Sequence, residues 1–174
     1  MKRSENIIKI NVEYLSRPAD IEIKGLKIWV HDWQFPVGTE GDDEDWLHVT
    51  ALYEAKNAVV WREGNFIESH RIGWLMNSIK NRLLPFSNLA FGDEAAHLQC
   101  DEPYFGFYIE YIHLPPSDED VYGVGESLSM VVDITPDHNE QSHRFSESIS
   151  FDDLITLLAQ FELVIEKFPT RISG

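Results

Sequence analysis

Residues 150–169 read SFDDLITLLAQFELVIEKFP, the most strongly periodic segment of the chain. Phe151, Leu154, Ile155, Leu158, Phe161, Val164, Ile165 and Phe168 recur at spacings of three and four, so a helix gathers them into one apolar stripe. Ser150 is a capping residue, and Asp152 and Asp153 put negative charge in the first turn, where the unpaired N–H groups and the helix dipole favour it. Pro169 closes the segment. A stripe this wide ordinarily packs on a sheet, and it reads as a core face rather than a cofactor or lipid site.

The chain upstream supplies that sheet. Ile21, Ile23, Leu26, Ile28 and Val30 alternate with other residues at the period of a strand, while Trp29, Trp33 and Phe35 suggest cover on the second face. Trp46 to Glu54 alternates again and is expected to pair with Ala58 to Arg62 through Ala55-Lys56-Asn57. After Ser69 the period changes: Ile72, Leu75, Met76, Ile79 and Leu83 lie at helical spacing, and Pro85 stops the helix because proline lacks an N–H and forces its predecessor out of helical geometry. Phe105 to Tyr111 and Leu128 to Ile134 read as strands, with His143 to Ile149 a weaker one. The expected architecture is α+β: a largely antiparallel β-sheet, in one piece or two, with two amphipathic helices packed against it. Residues 21–170 are expected to form a single domain, and residues 1–20 an N-terminal extension or edge strand through Ile8, Ile10, Val12 and Tyr14.

The composition agrees with a folded chain. At 174 residues, a domain hides roughly 70% of the surface its unfolded chain exposes. Ten Phe, six Tyr and five Trp provide enough apolar area to fold without metals or disulfides. The one cysteine, Cys100, rules out an intramolecular disulfide. Ile7 to Leu15 is broken by Lys9, Asn11 and Glu13, no signal-peptide core follows, and no stretch reaches the roughly 20 apolar residues of a membrane helix, so a cytoplasmic location is expected.

A search for chemistry finds no GxxxxGK, HExxH, GxSxG or CxxC pattern. Tyr122-Gly123-Val124-Gly125-Glu126-Ser127 reads as a turn, because Asp118, Glu119 and Asp120 beside it would repel a phosphate. His138 and His143 are five residues apart and do not share a helix face, which leaves zinc short of convergent ligands. His31 and His48 read as hydrogen-bonded structural residues. Asp101 and Glu102 directly after Cys100 disfavour its thiolate. Neither a catalytic set, a metal nor a cofactor is expected.

The charge is the dominant global feature: 30 Asp plus Glu against 14 Lys plus Arg, a formal net charge of −16. Such a surface repels nucleic acid and anionic lipid and attracts a basic protein. Two runs concentrate the acidity, Glu40, Asp42, Asp43, Glu44 and Asp45 in one loop and Asp118, Glu119 and Asp120 in another, and these eight residues are the candidate partner-binding surface.

Several segments carry a family resemblance: Ile21-Glu22-Ile23-Lys24-Gly25-Leu26; the strand Trp29 to Phe35; Asp43-Glu44-Asp45-Trp46-Leu47-His48-Val49; Val60-Trp61; Glu102-Pro103 before Phe105 to Tyr111; and a late strand leading into the final helix. Together they cover roughly residues 20 to 168, and in them the chain resembles the WapI-like immunity proteins of bacterial polymorphic toxin systems. The resemblance implies neutralisation of a cognate C-terminal toxin domain, often a nuclease, and an acidic inhibitor suits the basic cleft of such an enzyme. The stretch before Ile21 and the insertion His113 to Gly125 depart from the pattern. Contact residues vary with the toxin, so the resemblance assigns none here. Trp46 is expected in the core rather than at an interface.

Two other functions compete: an enzyme built on loop carboxylates, which requires acids and histidines converging in one pocket, and a non-catalytic structural or ligand-sensing module of a larger assembly.

Overall fold

The computed structural model describes residues 16–36, 45–56, 58–83, 93–99, 104–114, 125–137 and 140–171. The expected strand through Ile8 to Tyr14, together with Cys100 and His138, lies outside them.

Two four-stranded antiparallel sheets are each connected in simple sequence order. The first holds β1 (Ile21–Ile23), β2 (Leu26–Trp33), β3 (Trp46–Ala55) and β4 (Ala58–Glu68). The run from Ile21 to Val30, read as one strand, is a hairpin: Ile23 pairs with Leu26 and Ile21 with Ile28. Lys24 turns the chain in left-handed geometry at φ 51°, and Gly25 follows because a Cβ there would sit 2.4 Å from the carbonyl oxygen of Glu54. The jump from odd to even apolar positions between Ile23 and Leu26 marks this turn.

Two irregularities interrupt the ladders of β3: His31 is the extra residue between the pairs Val30–Val49 and Asp32–His48, and Phe66 the extra one between Leu47–Ile67 and His48–Asn65. Such bulges re-aim side chains. The second turns Phe66 inward, 1% exposed, against Phe105 of the other sheet.

The second sheet holds β5 (Asp93–Gln99), β6 (Phe105–Leu114), β7 (Gly125–Ile134) and β8 (His143–Ser148). Its inner residues Phe105, Phe107, Ile109, Met130, Val132 and Ile134 join Leu26, Ile28, Val30, Leu47, Val49 and Ala51 of the first sheet in one continuous core. Polar bonds cross between the sheets beside it. The Tyr53 ring stacks on Phe145 with centroids 4.1 Å apart and its hydroxyl donates to Glu147 at 2.9 Å. Arg62 donates to the carbonyls of Thr135 and Pro136 while its guanidinium lies 3.8 Å from the centre of the Tyr104 ring.

Helix α1 (Ser69–Ser78) packs on β4 and β5 and continues as a π-helical turn, Ile79–Leu83, that keeps Ile79 and Leu83 fully buried. Helix α2 (Phe151–Lys167) packs along β1 and α1. Its start is a capping box: the Asp153 N–H donates to Ser150 Oγ at 3.1 Å and the Ser150 N–H to the Asp153 carboxylate at 2.7 Å. The Lys24 ammonium, 2.8 Å away, is the main cause holding that carboxyl down at about 2, with the Ser150 N–H next. Gln160 of α2 accepts the N–H of Glu22 at 2.9 Å, which satisfies part of the open edge of β1.

The inner face of α2 differs from the predicted stripe. Leu154, Leu157, Leu158, Phe161 and Val164 are buried, with Phe168 just beyond the helix. Ile155 is 56% exposed and Phe151 37%, whereas Leu157, left out of the expected stripe, is fully buried. Five residues already fill the arc that faces β1 and α1, so the remaining apolar positions turn outward.

Candidate partner-binding surface

Of the eight acids expected to face a partner, Glu40, Asp42, Asp43, Glu44, Asp118, Glu119 and Asp120 lie outside the described residues. Asp45 is described, and it corrects the expectation for that position: it is fully buried. Its Oδ2 accepts the backbone N–H of His70 at 2.6 Å and His70 Nδ1–H at 2.8 Å, and its Oδ1 accepts the N–H of Arg171 at 2.9 Å. A buried carboxylate with three donors is a structural anchor, since leaving such donors unpaired costs more than any surface charge would contribute.

The anchor has a local cause. The residue preceding α1 is Glu68, which makes no side-chain cap, and Ser69 donates its hydroxyl to the carbonyl of Phe168 at 2.6 Å. The start of α1 therefore gets no capping oxygen from the side chain just before it, at the positive end of the helix dipole. Asp45, distant in sequence, supplies the missing capping oxygen.

Arg171 completes the arrangement by holding both ends of the acidic segment. Its backbone binds Asp45 at one end, and its guanidinium donates to the carbonyl of Phe35 at 3.1 Å at the other while lying 3.7 Å from the centre of the Trp33 ring. The Gln34 N–H donating to the Trp46 carbonyl at 2.8 Å closes the same neck. Trp46, expected in the core, is half-buried at this neck. Trp74, one turn after His70 and in edge contact with its ring, is 62% exposed. No sequence pattern pointed to His70 or Arg171 as the anchors of this loop, because their partners lie 25 and 126 residues away.

A second polar group sits across β2, β3 and β4. His31 Nε2 lies 2.8 Å from Thr50 Oγ1, and His48 is placed between Asn65 Oδ1 at 3.0 Å and Glu63 Oε1 at 3.2 Å. The two imidazoles are 5.4 Å apart. Burial lowers the pKa of His31, and the neighbouring His48 and Arg17 lower it further, so this ring favours the neutral form. These nitrogens are occupied by hydrogen bonds within the sheet, and among the described residues no group of three or more His, Cys, Asp or Glu is arranged to hold a metal ion.

Among the described residues no helix is long and apolar enough to cross a membrane. Comparison with protein families matches the model of the immunity protein WapI-like family over residues 19–169. Among solved structures, the chain is similar to one titled the structure of the plant transcriptional regulator PBF-2, at 8% identity and a TM-score of 0.38, covering 82% of this chain and 75% of that one. Comparison with curated proteins finds no match.

Proposed function

Because the chain belongs to the immunity protein WapI-like family, we propose that it binds and neutralises the C-terminal toxin domain of a cognate polymorphic or contact-dependent toxin, and that this domain is a basic nuclease. The family match over residues 19–169 carries the reading. The net charge of −16 supports a basic target, since a nuclease that cleaves a polyanion presents positive charge around its active site. An acidic protein set against that cleft competes with the phosphates of the substrate.

The proposed mechanism is occlusion without catalysis, in the cytoplasm, with no cofactor and no contact to nucleic acid. The acidic runs Glu40, Asp42, Asp43 and Glu44, and Asp118, Glu119 and Asp120, steer the encounter, because charges at the rim of an interface act on association rate and partner choice more than on dissociation. Asp45 and Arg171 serve the first run indirectly, by fixing where it leaves and rejoins the sheet.

Titration calorimetry with the purified toxin domain encoded beside this gene tests the proposal. Saturable one-to-one binding is expected, and no measurable heat or complex at micromolar concentrations contradicts it.

A further inference from the structure

Helix α2 carries a second apolar row on its outer side. Phe151, Ile155, Ala159 and Leu163 are spaced by four, all four are exposed, and Ile155 and Leu163 reach 56% and 66%. Side chains four apart stand one above the other, so these residues form a continuous ridge of roughly 18 Å along the helix. Phe151 at the near end lies against Tyr111 of β6, with ring centroids 6.1 Å apart, but Ile155 and Leu163 stand outside the inner arc, which Leu154, Leu157, Leu158, Phe161 and Val164 already fill. A shallow cleft of about 290 Å³ opens beside its far end, between Pro18–Asp20 and the Leu163–Phe168 end of α2.

Apart from the exposed Lys167, which follows Leu163 on the same row and leans over the Phe168 ring, the charged side chains flanking the ridge are acidic. Asp152, Glu162 and Glu166 are all exposed on the same side of the helix. Glu162 is paired with Lys80, while no described basic side chain forms an ion pair with Asp152 or Glu166. An aliphatic ridge bordered by carboxylates is complementary to an apolar strip bordered by Lys or Arg. It is poorly suited to a second copy of this chain, since two such ridges would bring like-charged flanks together on molecules that each carry −16.

We propose that the outer ridge of α2, centred on Ile155 and Leu163, is the surface on which the toxin domain docks, through an apolar strip flanked by basic side chains. This rests on the toxin-neutralising reading and assigns the docking contact to α2, with the acidic loops left to steer approach. Buried aliphatic anchors at the centre of an interface govern the dissociation rate, whereas peripheral charge governs encounter.

The test is binding of the full chain to the toxin domain encoded beside its gene, measured by surface kinetics, for the wild type and for Ile155→Glu with Leu163→Glu. Both positions are exposed, so the double variant is expected to keep the wild-type circular dichroism and melting temperature while its affinity falls about 100-fold, mostly through faster dissociation. The milder Ile155→Ala, Leu163→Ala pair, which serves if the glutamates disturb folding, is expected to lose about tenfold. Tight wild-type binding with unchanged affinity in a folded double variant overturns the ridge as the docking surface and leaves neutralisation standing. A wild type that does not bind overturns both. A wild-type dimer that Leu163→Glu dissolves, with toxin affinity unaltered, assigns the ridge to self-association and overturns the proposal.

Discussion

Asp45 and Arg171 are 126 residues apart in sequence and joined by a 2.9 Å hydrogen bond from the Arg171 N–H to the buried Asp45 carboxylate. The same carboxylate caps α1 through His70. An acidic run that looks uniform in sequence thus ends in a residue with a different task. Its members from Glu40 to Glu44 are candidates for a partner, and Asp45 holds the fold.

That division makes Asp45→Ala destabilising. The change leaves the backbone N–H groups of His70 and Arg171 without their acceptor, at about 1–3 kcal/mol for each buried unpaired group, so a loss of about 2–6 kcal/mol is expected in urea unfolding. The triple variant Asp42→Lys, Asp43→Lys, Glu44→Lys is expected to stay within about 0.5 kcal/mol of the parent in the same assay. Equal effects of the two changes would remove the distinction.

The two faces of α2 respond oppositely to charge. Phe161 is 1% exposed, and Phe161→Asp buries an unpaired carboxylate while deleting a core ring, a cost of about 3–5 kcal/mol or more against a typical total stability of about 5–15 kcal/mol. Loss of soluble expression is expected. Leu163→Asp, on the exposed side, should express and melt like the wild type. A folded Phe161→Asp protein would show that α2 is not part of the core.

These contrasts mark what the sequence could and could not convey. The helix α2, its cap and its end were legible because capping box, period and proline all agree over 151–168. The assignment of Ile155 to the core failed because two apolar rows at spacing four run side by side, and period alone does not say which one meets the sheet. The strand β5 was missed because Asp93-Glu94-Ala95-Ala96-His97-Leu98-Gln99 has no β-branched residue and takes its structure from pairing with β6. The β1–β2 turn is recorded only in the shift of the apolar positions from odd to even across Lys24-Gly25, within a run that alternates on either side of it. For the candidate site, the sequence offers only the concentration of charge, whereas the roles of Asp45, His70 and Arg171 depend on contacts between distant parts of the chain. No local pattern records those.

The pH response should carry a signature of His31. Its pKa is lowered in the folded protein, first by burial, so below the usual value near 6.5 the unfolded chain binds more protons than the native one. Its contribution to stability is present above that pH and is lost as pH falls through the lowered folded value. The urea midpoint is expected to fall on acidification from about pH 7 to 5, and His31→Gln, which can keep a hydrogen bond to Thr50, should flatten that slope. An identical slope in the variant would assign the acid sensitivity elsewhere.

Association with the toxin domain should depend strongly on salt. Between about 0.05 and 0.5 M the Debye length shrinks from roughly 14 to 4 Å, and the association rate is expected to fall by about an order of magnitude or more. The Asp42→Lys, Asp43→Lys, Glu44→Lys variant should associate more slowly than the wild type at low salt. A rate unchanged by that substitution moves the steering surface away from this loop.

Inhibition of the toxin domain's own activity by increasing amounts of this chain tests the central claim most directly. Neutralisation by tight binding predicts that activity falls linearly to zero with an end point at one chain per toxin domain, and that cells expressing the toxin domain grow when this chain is co-expressed. Undiminished toxin activity at a tenfold molar excess of folded chain, with no rescue of growth, would contradict it.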